Sequence, residues 1–303
     1  MELLRETATR NSNANKSKRR PTCGRRLLLR GGFSKPSKLK DVAFGEFHFY
    51  SPALGKATSG DIIVPEIEGQ NGPFPVLYLL HGLSDDHTIW QRRTSLERYV
   101  QALPLIVVMP NGGRGWYSDA FEGYAYQSAI INDLIGFVDR TLRTVPDKSG
   151  RCIGGLSMGG YGAIKLAMKF PELFVSANGH SGAYAFGHAP NYTKNAEFTR
   201  IIGPQPSGGP QDLWKIAAEL APAEAPALRI DCGTSDFLID QNRDFHAHLE
   251  KLGIAHQYEE FPGAHDWAYW DRHVQSALRF HAGHLGISKP LLKGQGARSR
   301  EQG

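Results

Sequence analysis

Apolar and polar positions alternate between two regimes along this chain. "VAFGEFHFYS" (42–51) and "ATSGDIIVPE" (57–66) show a two-residue alternation broken by turn residues, and predict two antiparallel strands that open a sheet. The later runs "FPVLYLLHG", "PLIVVMPNGG", "RCIGGLS" and "ALRIDCGTSD" are almost continuously apolar, as expected of strands buried on both faces. Amphipathic segments lie between and after them. "AYQSAIINDLIGFVDRTLRTV" sets Ile130, Ile131, Leu134, Phe137, Val138 and Leu142 on one helical face, and "YGAIKLAMKFPELF", "DQNRDFHAHLEKLG" and "WDRHVQSALRFHAGHLG" have similar character. This rhythm predicts an α/β fold with a mainly parallel sheet flanked by helices. A Gly-, Pro- and Asn-rich stretch near 184–222, helical only at "DLWKIAAEL", reads as an insertion over one end of the sheet.

Where the chain passes from the strand "RCIGGLS" to the helix that follows, Gly155-Leu156-Ser157-Met158-Gly159 fits G-x-S-x-G. Alone this is a glycine-rich turn with an incidental serine. Between a strand and a helix it has the setting of a nucleophile elbow, in which glycines leave room for a strained turn that lifts the hydroxyl above the sheet. Gly160 and Gly162 would let the helix approach the strand. A serine needs a base and an acid to orient that base, which on such a fold follow in the order Ser, acid, His. Asp236, just past "ALRI", and His265, in the loop between "HQYEEF" and the last helix, fill those places. Asp231 lies too early, within its strand; Asp240 starts a helix and reads as its cap; Asp266 reads as a surface carboxylate. The backbone N–H groups of Met158 and of Leu83, after His81-Gly82, are the candidate oxyanion donors, and His81 reads as a brace for that loop. Trp116 and Tyr117 are either core or substrate-pocket wall, and Trp267 and Trp270 read as packing residues.

Other chemistry finds little support. The "GGRG" and "GGYG" stretches lack Walker and dinucleotide spacing. Asp85-Asp86-His87 and the pair His281 and His284 have metal-ligand types but are better explained by a turn and a helix, so no metal is expected. Three cysteines, Cys23, Cys152 and Cys232, give neither a disulfide framework nor a C-x-x-C pair, and suggest a reducing, cytoplasmic setting with Cys152 and Cys232 as buried small hydrophobes.

Charge divides the chain. Residues 1–40 hold 12 of the 35 Lys and Arg but two of the 30 Asp and Glu, so residues 41–303 are net acidic despite the overall +5. The basic segment has no period and few apolar residues, and reads as a disordered tail, with contact to nucleic acid or an anionic surface as the alternative. Residues 288–303 read as a second loose tail, which leaves 41–287 as the catalytic domain. No run approaches the roughly 18 apolar residues of a membrane span. Neither composition nor pattern fixes an oligomeric state.

"VLYLLHGLSDDHTIWQRRTSLERY", "GLSMGGYGA", "CGTSDFL" and "GAHDWAYWDRHVQSALRFH", in that order, resemble the tributyrin esterase and acetylesterase branch of the putative esterase family. That family also holds S-formylglutathione hydrolases, feruloyl esterases and mycolyltransferases. The resemblance covers residues 41–285 and has no counterpart for the basic tail. It implies an α/β-hydrolase fold, no cofactor, a triad of Ser157, Asp236 and His265, and an oxyanion hole from Leu83 and Met158. The expected function is hydrolysis of short-chain acyl esters, small-molecule substrates, through an acyl-enzyme. Thioester hydrolysis of the S-formylglutathione type and acyl transfer are the chemical alternatives; a noncatalytic binding protein on a hydrolase scaffold is the alternative of another class.

Overall fold

The computed structural model describes residues 41–67 and 69–287. The basic tail with Cys23 and the segment 288–303 lie outside the described residues. Eight strands form one sheet in the order β1-β2-β4-β3-β5-β6-β7-β8. β1 (Asp41–Ser51) and β2 (Lys56–Glu66) pair antiparallel along their whole length around a turn in which Gly55 takes φ +63°. β2 is also antiparallel to β4 (Ile106–Pro110), while β3 (Val76–Leu80), β5 (Arg151–Leu156), β6 (Ser176–His180), β7 (Ala227–Gly233) and β8 (His256–Phe261) extend the sheet in parallel.

The central strands are continuously apolar because each side of the sheet has its own core. Val76, Tyr78 and Leu80 face one cluster and Leu77 and Leu79 the other; Ile106 and Val108 against Val107 and Met109 repeat the division on β4. The first cluster is covered by α3 (Tyr126–Ser128), the π-helical stretch Ala129–Leu134 and α4 (Ile135–Thr141), which run on without a break, and by α5 (Met158–Lys169) and α8 (Ile239–Lys251). The second is covered by α1 (Ile89–Arg93), α2 (Leu96–Val100) and α9 (Trp267–His284). Ile130, Leu134 and Val138 are buried as the periodicity predicts, and Phe137 stacks on Phe47 and Phe49 of β1. Cys152 and Cys232 are buried free thiols. Among the described residues no helix is long and apolar enough to cross a membrane.

Two features escape the hydrophobic pattern. β6 reads "SANGH", with one apolar side chain, and its polar residues find partners on α9 and β7. Ser176 Oγ lies 2.8 Å from His281 Nδ1, Asn178 Oδ1 lies 2.8 Å from His281 Nε2, and His180 Nδ1 lies 2.8 Å from Asp231. The insertion is also more ordered than its composition suggests, carrying α6 (Ala196–Ile202) as well as the expected α7 (Leu213–Glu219). Its stem is Gln211, which accepts from the Tyr161 hydroxyl at 2.7 Å and from Lys165 Nζ at 2.8 Å, and donates to the Asp119 carbonyl at 2.9 Å. Lys165 is wholly buried and also donates to the Ser118 hydroxyl; burial, then the charge of Lys169, holds its pKa well below the lysine range.

His281 makes stability pH-dependent. Burial first, with the charges of His180 and Arg229, pulls its pKa down to about 3. An unfolded histidine titrates near ~6.5. Between those limits the unfolded chain binds the extra proton, so stability is full above about pH 6.5 and falls as pH drops toward the folded value. Urea titrations between pH 6 and 4 should give an acid-side slope smaller by about 1 kcal/mol per pH unit in His281→Gln than in the wild type.

Candidate active site

β5 ends at Leu156 and α5 begins at Met158, so the whole change of direction falls on Ser157, which takes φ +53° and ψ −116°. That left-handed conformation is unusual for a residue with a Cβ and is held by its surroundings. A Cβ at Gly155 would stand 2.5 Å from the Gly159 backbone, and one at Gly159 would stand 2.5 Å from the Leu80 carbonyl and 2.6 Å from that of His81. The Ser157 N–H donates to the His180 carbonyl at 2.9 Å, and its own carbonyl accepts from Ala183 N–H at 3.2 Å. Gly160 faces the backbone of His180 and Gly182, as a close helix approach requires. Gly162 instead makes room for the Tyr117 ring.

His265 sits between β8 and α9. Its Nε2 is 3.1 Å from Ser157 Oγ, and its Nδ1 is 3.0 and 2.9 Å from the two Asp236 oxygens. Asp236 Oδ1 also accepts from Leu238 N–H at 2.8 Å. Burial of Asp236 works against its ionisation, but the hydrogen bonds from His265 and Leu238 and the imidazole's charge outweigh it, so the carboxyl lies below the usual carboxylate range. A carboxylate there fixes Nδ1 as donor and turns Nε2 toward the hydroxyl. On its outer side the imidazole meets Phe237, and on its inner side the edge of buried Trp270.

The competing acids are placed elsewhere. Asp231 lies in β7 with His180, Arg229 and the Tyr269 hydroxyl around it; despite burial, those partners bring its pKa to about 2. Asp240 does not cap α8. It stands exposed in the first turn, because the chain enters that helix through Leu238. Asp266 is more than a surface carboxylate, since it caps α9 by accepting from Tyr269 N–H at 2.9 Å.

Strand order brings the loop after β3 beside the elbow. A Cβ at Gly82 would be 3.6 Å from Ser157 Cβ. Among the described residues neither Leu83 N–H nor Met158 N–H donates to a protein acceptor, which leaves both free for a developing oxyanion. His81 braces this loop as expected: Nδ1 donates to the Gly82 carbonyl at 2.8 Å and Nε2 accepts from Gly112 N–H at 2.9 Å. Burial pulls its pKa to about 4, so the ring is neutral and its tautomer fixed. Arg114, unmarked in the sequence, ties the loop to the insertion through Ser84 Oγ at 2.9 Å and Glu197 at 2.5 and 2.7 Å.

Trp116 and Tyr117 do not form a pocket wall. Tyr117 is fully buried and donates its hydroxyl to the His81 carbonyl at 3.0 Å, while Trp116 is buried and stacked on Phe186. Both take positive φ. Trp270 packs as expected, its Nε1–H on Ser181 Oγ. Asp86 is taken up by Thr88, and His87 by Glu46 and Ser59. Among the described residues no group of three or more His, Cys, Asp or Glu is arranged to hold a metal ion.

A largely parallel sheet in this order, with a serine in a left-handed turn after β5, is an α/β hydrolase. Within that class the chain belongs to the family described as "Putative esterase", whose model matches residues 51–281, and is a carboxylic ester hydrolase. An acetyl esterase of Caldicellulosiruptor saccharolyticus is 29% identical over 263 residues, 79% of this chain and 98% of that protein. FphF, a fluorophosphonate-binding serine hydrolase of Staphylococcus aureus, superposes with a TM-score of 0.73 at 31% identity, covering 80% of this chain and 98% of its own. The S-formylglutathione hydrolase of the same organism gives 0.71 and 31%, with 79% and 98% covered.

Gly159→Ala tests the elbow. With two carbonyl oxygens within 2.6 Å of the new methyl, the variant should lose about 1–3 kcal/mol, read as a lower urea midpoint at unchanged m-value.

Proposed function

We propose that the protein is a serine carboxylesterase for short-chain acyl esters, acting through an acyl-enzyme on Ser157. The observation that carries this reading is the continuous chain Ser157 Oγ–His265 Nε2 and His265 Nδ1–Asp236, at 3.1 and 2.9 Å. Ser157 Oγ attacks the ester carbonyl carbon as its proton passes to His265 Nε2. The carbonyl oxygen, now negative, accepts from Leu83 N–H and Met158 N–H, each such donor being worth about 10²–10³ in rate. Collapse of the tetrahedral adduct breaks the bond to the alcohol oxygen, which takes the proton from His265 and leaves. Water, deprotonated by the same nitrogen, then attacks the acyl-serine; the acid departs and the proton returns to Ser157. Asp236 stays ionised throughout and stabilises the imidazolium.

A short acyl group is favoured by the likeness to an acetyl esterase over nearly that protein's whole length. The likeness to an S-formylglutathione hydrolase makes thioester hydrolysis the second reading. A series of p-nitrophenyl esters of rising acyl length, run beside S-formylglutathione, separates the two: the carboxylesterase reading expects kcat/KM to peak at two to four acyl carbons and to exceed the thioester's. Ser157→Ala should lower kcat by at least about 10⁴-fold, and Asp236→Asn by about 10³–10⁴-fold with little change in KM. A Ser157→Ala enzyme that keeps wild-type turnover would overturn the assignment.

A further inference from the structure

Phe237 is the most exposed large apolar side chain among the described residues, with 76% of its surface in water. A lone exposed ring carries little meaning by itself. Its position gives it meaning: it follows Asp236, and its ring centroid lies 4.5 Å from that of His265. The imidazole does not need this neighbour for support. Asp236 holds Nδ1, and the buried Trp270 meets the ring edge-on at 4.9 Å, itself anchored on Ser181. Phe237 thus leaves an apolar face open to solvent beside the group that handles protons.

The chemistry says what passes there. In acylation His265 Nε2 gives its proton to the departing alcohol oxygen, which must come within hydrogen-bond reach of that nitrogen. Whatever is attached to that oxygen extends past the imidazole, alongside which Phe237 stands. We propose that Phe237 forms the leaving-group subsite, and that the preferred substrates carry an alcohol part with a flat apolar face next to the ester oxygen. This rests on the acyl-enzyme reading above. Its consequence is asymmetric. The alcohol is present only until the bond to its oxygen breaks, so Phe237 acts on acylation and not on the attack of water on the acyl-serine.

Benzyl acetate and ethyl acetate deliver the same acetyl group from alcohols that differ in a ring. Phe237→Ala should lower the benzyl-to-ethyl ratio of kcat/KM about tenfold, the scale of one aromatic contact, and Phe237→Leu should restore part of it. The deacetylation rate constant, from stopped-flow bursts with p-nitrophenyl acetate, should stay within about twofold of wild type because no alcohol remains. An unchanged ratio would overturn the proposal. So would a slowed deacetylation with equal losses for both esters, which would make Phe237 a prop for the imidazole. Whether Ser157 is a covalent nucleophile is read separately by intact mass after treatment with a fluorophosphonate, whose adduct is stable. A wild-type enzyme left unlabelled would refute the acyl-enzyme reading, while the benzyl-to-ethyl ratio would still decide Phe237.

Discussion

Ser157 can hold a left-handed backbone only while β5, α5 and the end of β3 stay close enough to have no room for side chains at Gly155 and Gly159. The hydroxyl's position, the free N–H of Met158 and the alignment with His265 all depend on this crowding. The same closeness brings the carbonyls of Leu80 and His81 against the elbow, so the loop carrying Leu83 is located by the packing that strains the serine. Behind that loop the order continues inward, from His81 to Gly112 and from Tyr117 back to His81. The candidate oxyanion donors are thus fixed by buried hydrogen bonds and not by the surface.

A second body of polar order lies under the other half of the site. Asp231 gathers His180, Arg229 and Tyr269 in a fully buried cluster, and Arg229 reaches on to Glu259. Removing one member of such a cluster leaves a buried charge without its partner, which typically costs several kcal/mol. The His180 carbonyl accepts the Ser157 N–H and the Asp231 carbonyl accepts the Ser181 N–H, so the cluster also sets the ends of the strands from which the site is built.

Much of this could be read in the chain because the central strands must be apolar on both faces and the elbow must have glycines. Where burial is apolar, as along Val76–Leu80 or Ile106–Pro110, the pattern and the fold agree. Where burial is achieved by hydrogen bonds it is silent: Ser176, Asn178 and His180 look like a loop until His281 and Asp231 are seen beside them. Two rings are ambiguous for the opposite reason. Aromatic residues suit a core and a pocket equally, and it is the contacts of Tyr117 with His81 and of Trp116 with Phe186 that place them inside. Arg114 carried no signal, since its partners Ser84 and Glu197 are 30 and 83 residues away.

Gln211 gives the insertion an unequal tolerance to change. One side chain and its carbonyl satisfy Tyr161, Lys165 and Asp119, groups that belong to the helix after Ser157 and to the loop after β4. A deletion that took the stem would strand a buried amine and a buried phenol in the core. The α6 segment between Asn195 and Gly203 is held as well, by Glu197 on Arg114 and by Ile201 and Ile202 in the core. Change is therefore tolerated best in the largely exposed turn 204–209 between the two helices, while the root of the insertion stays as fixed as the sheet.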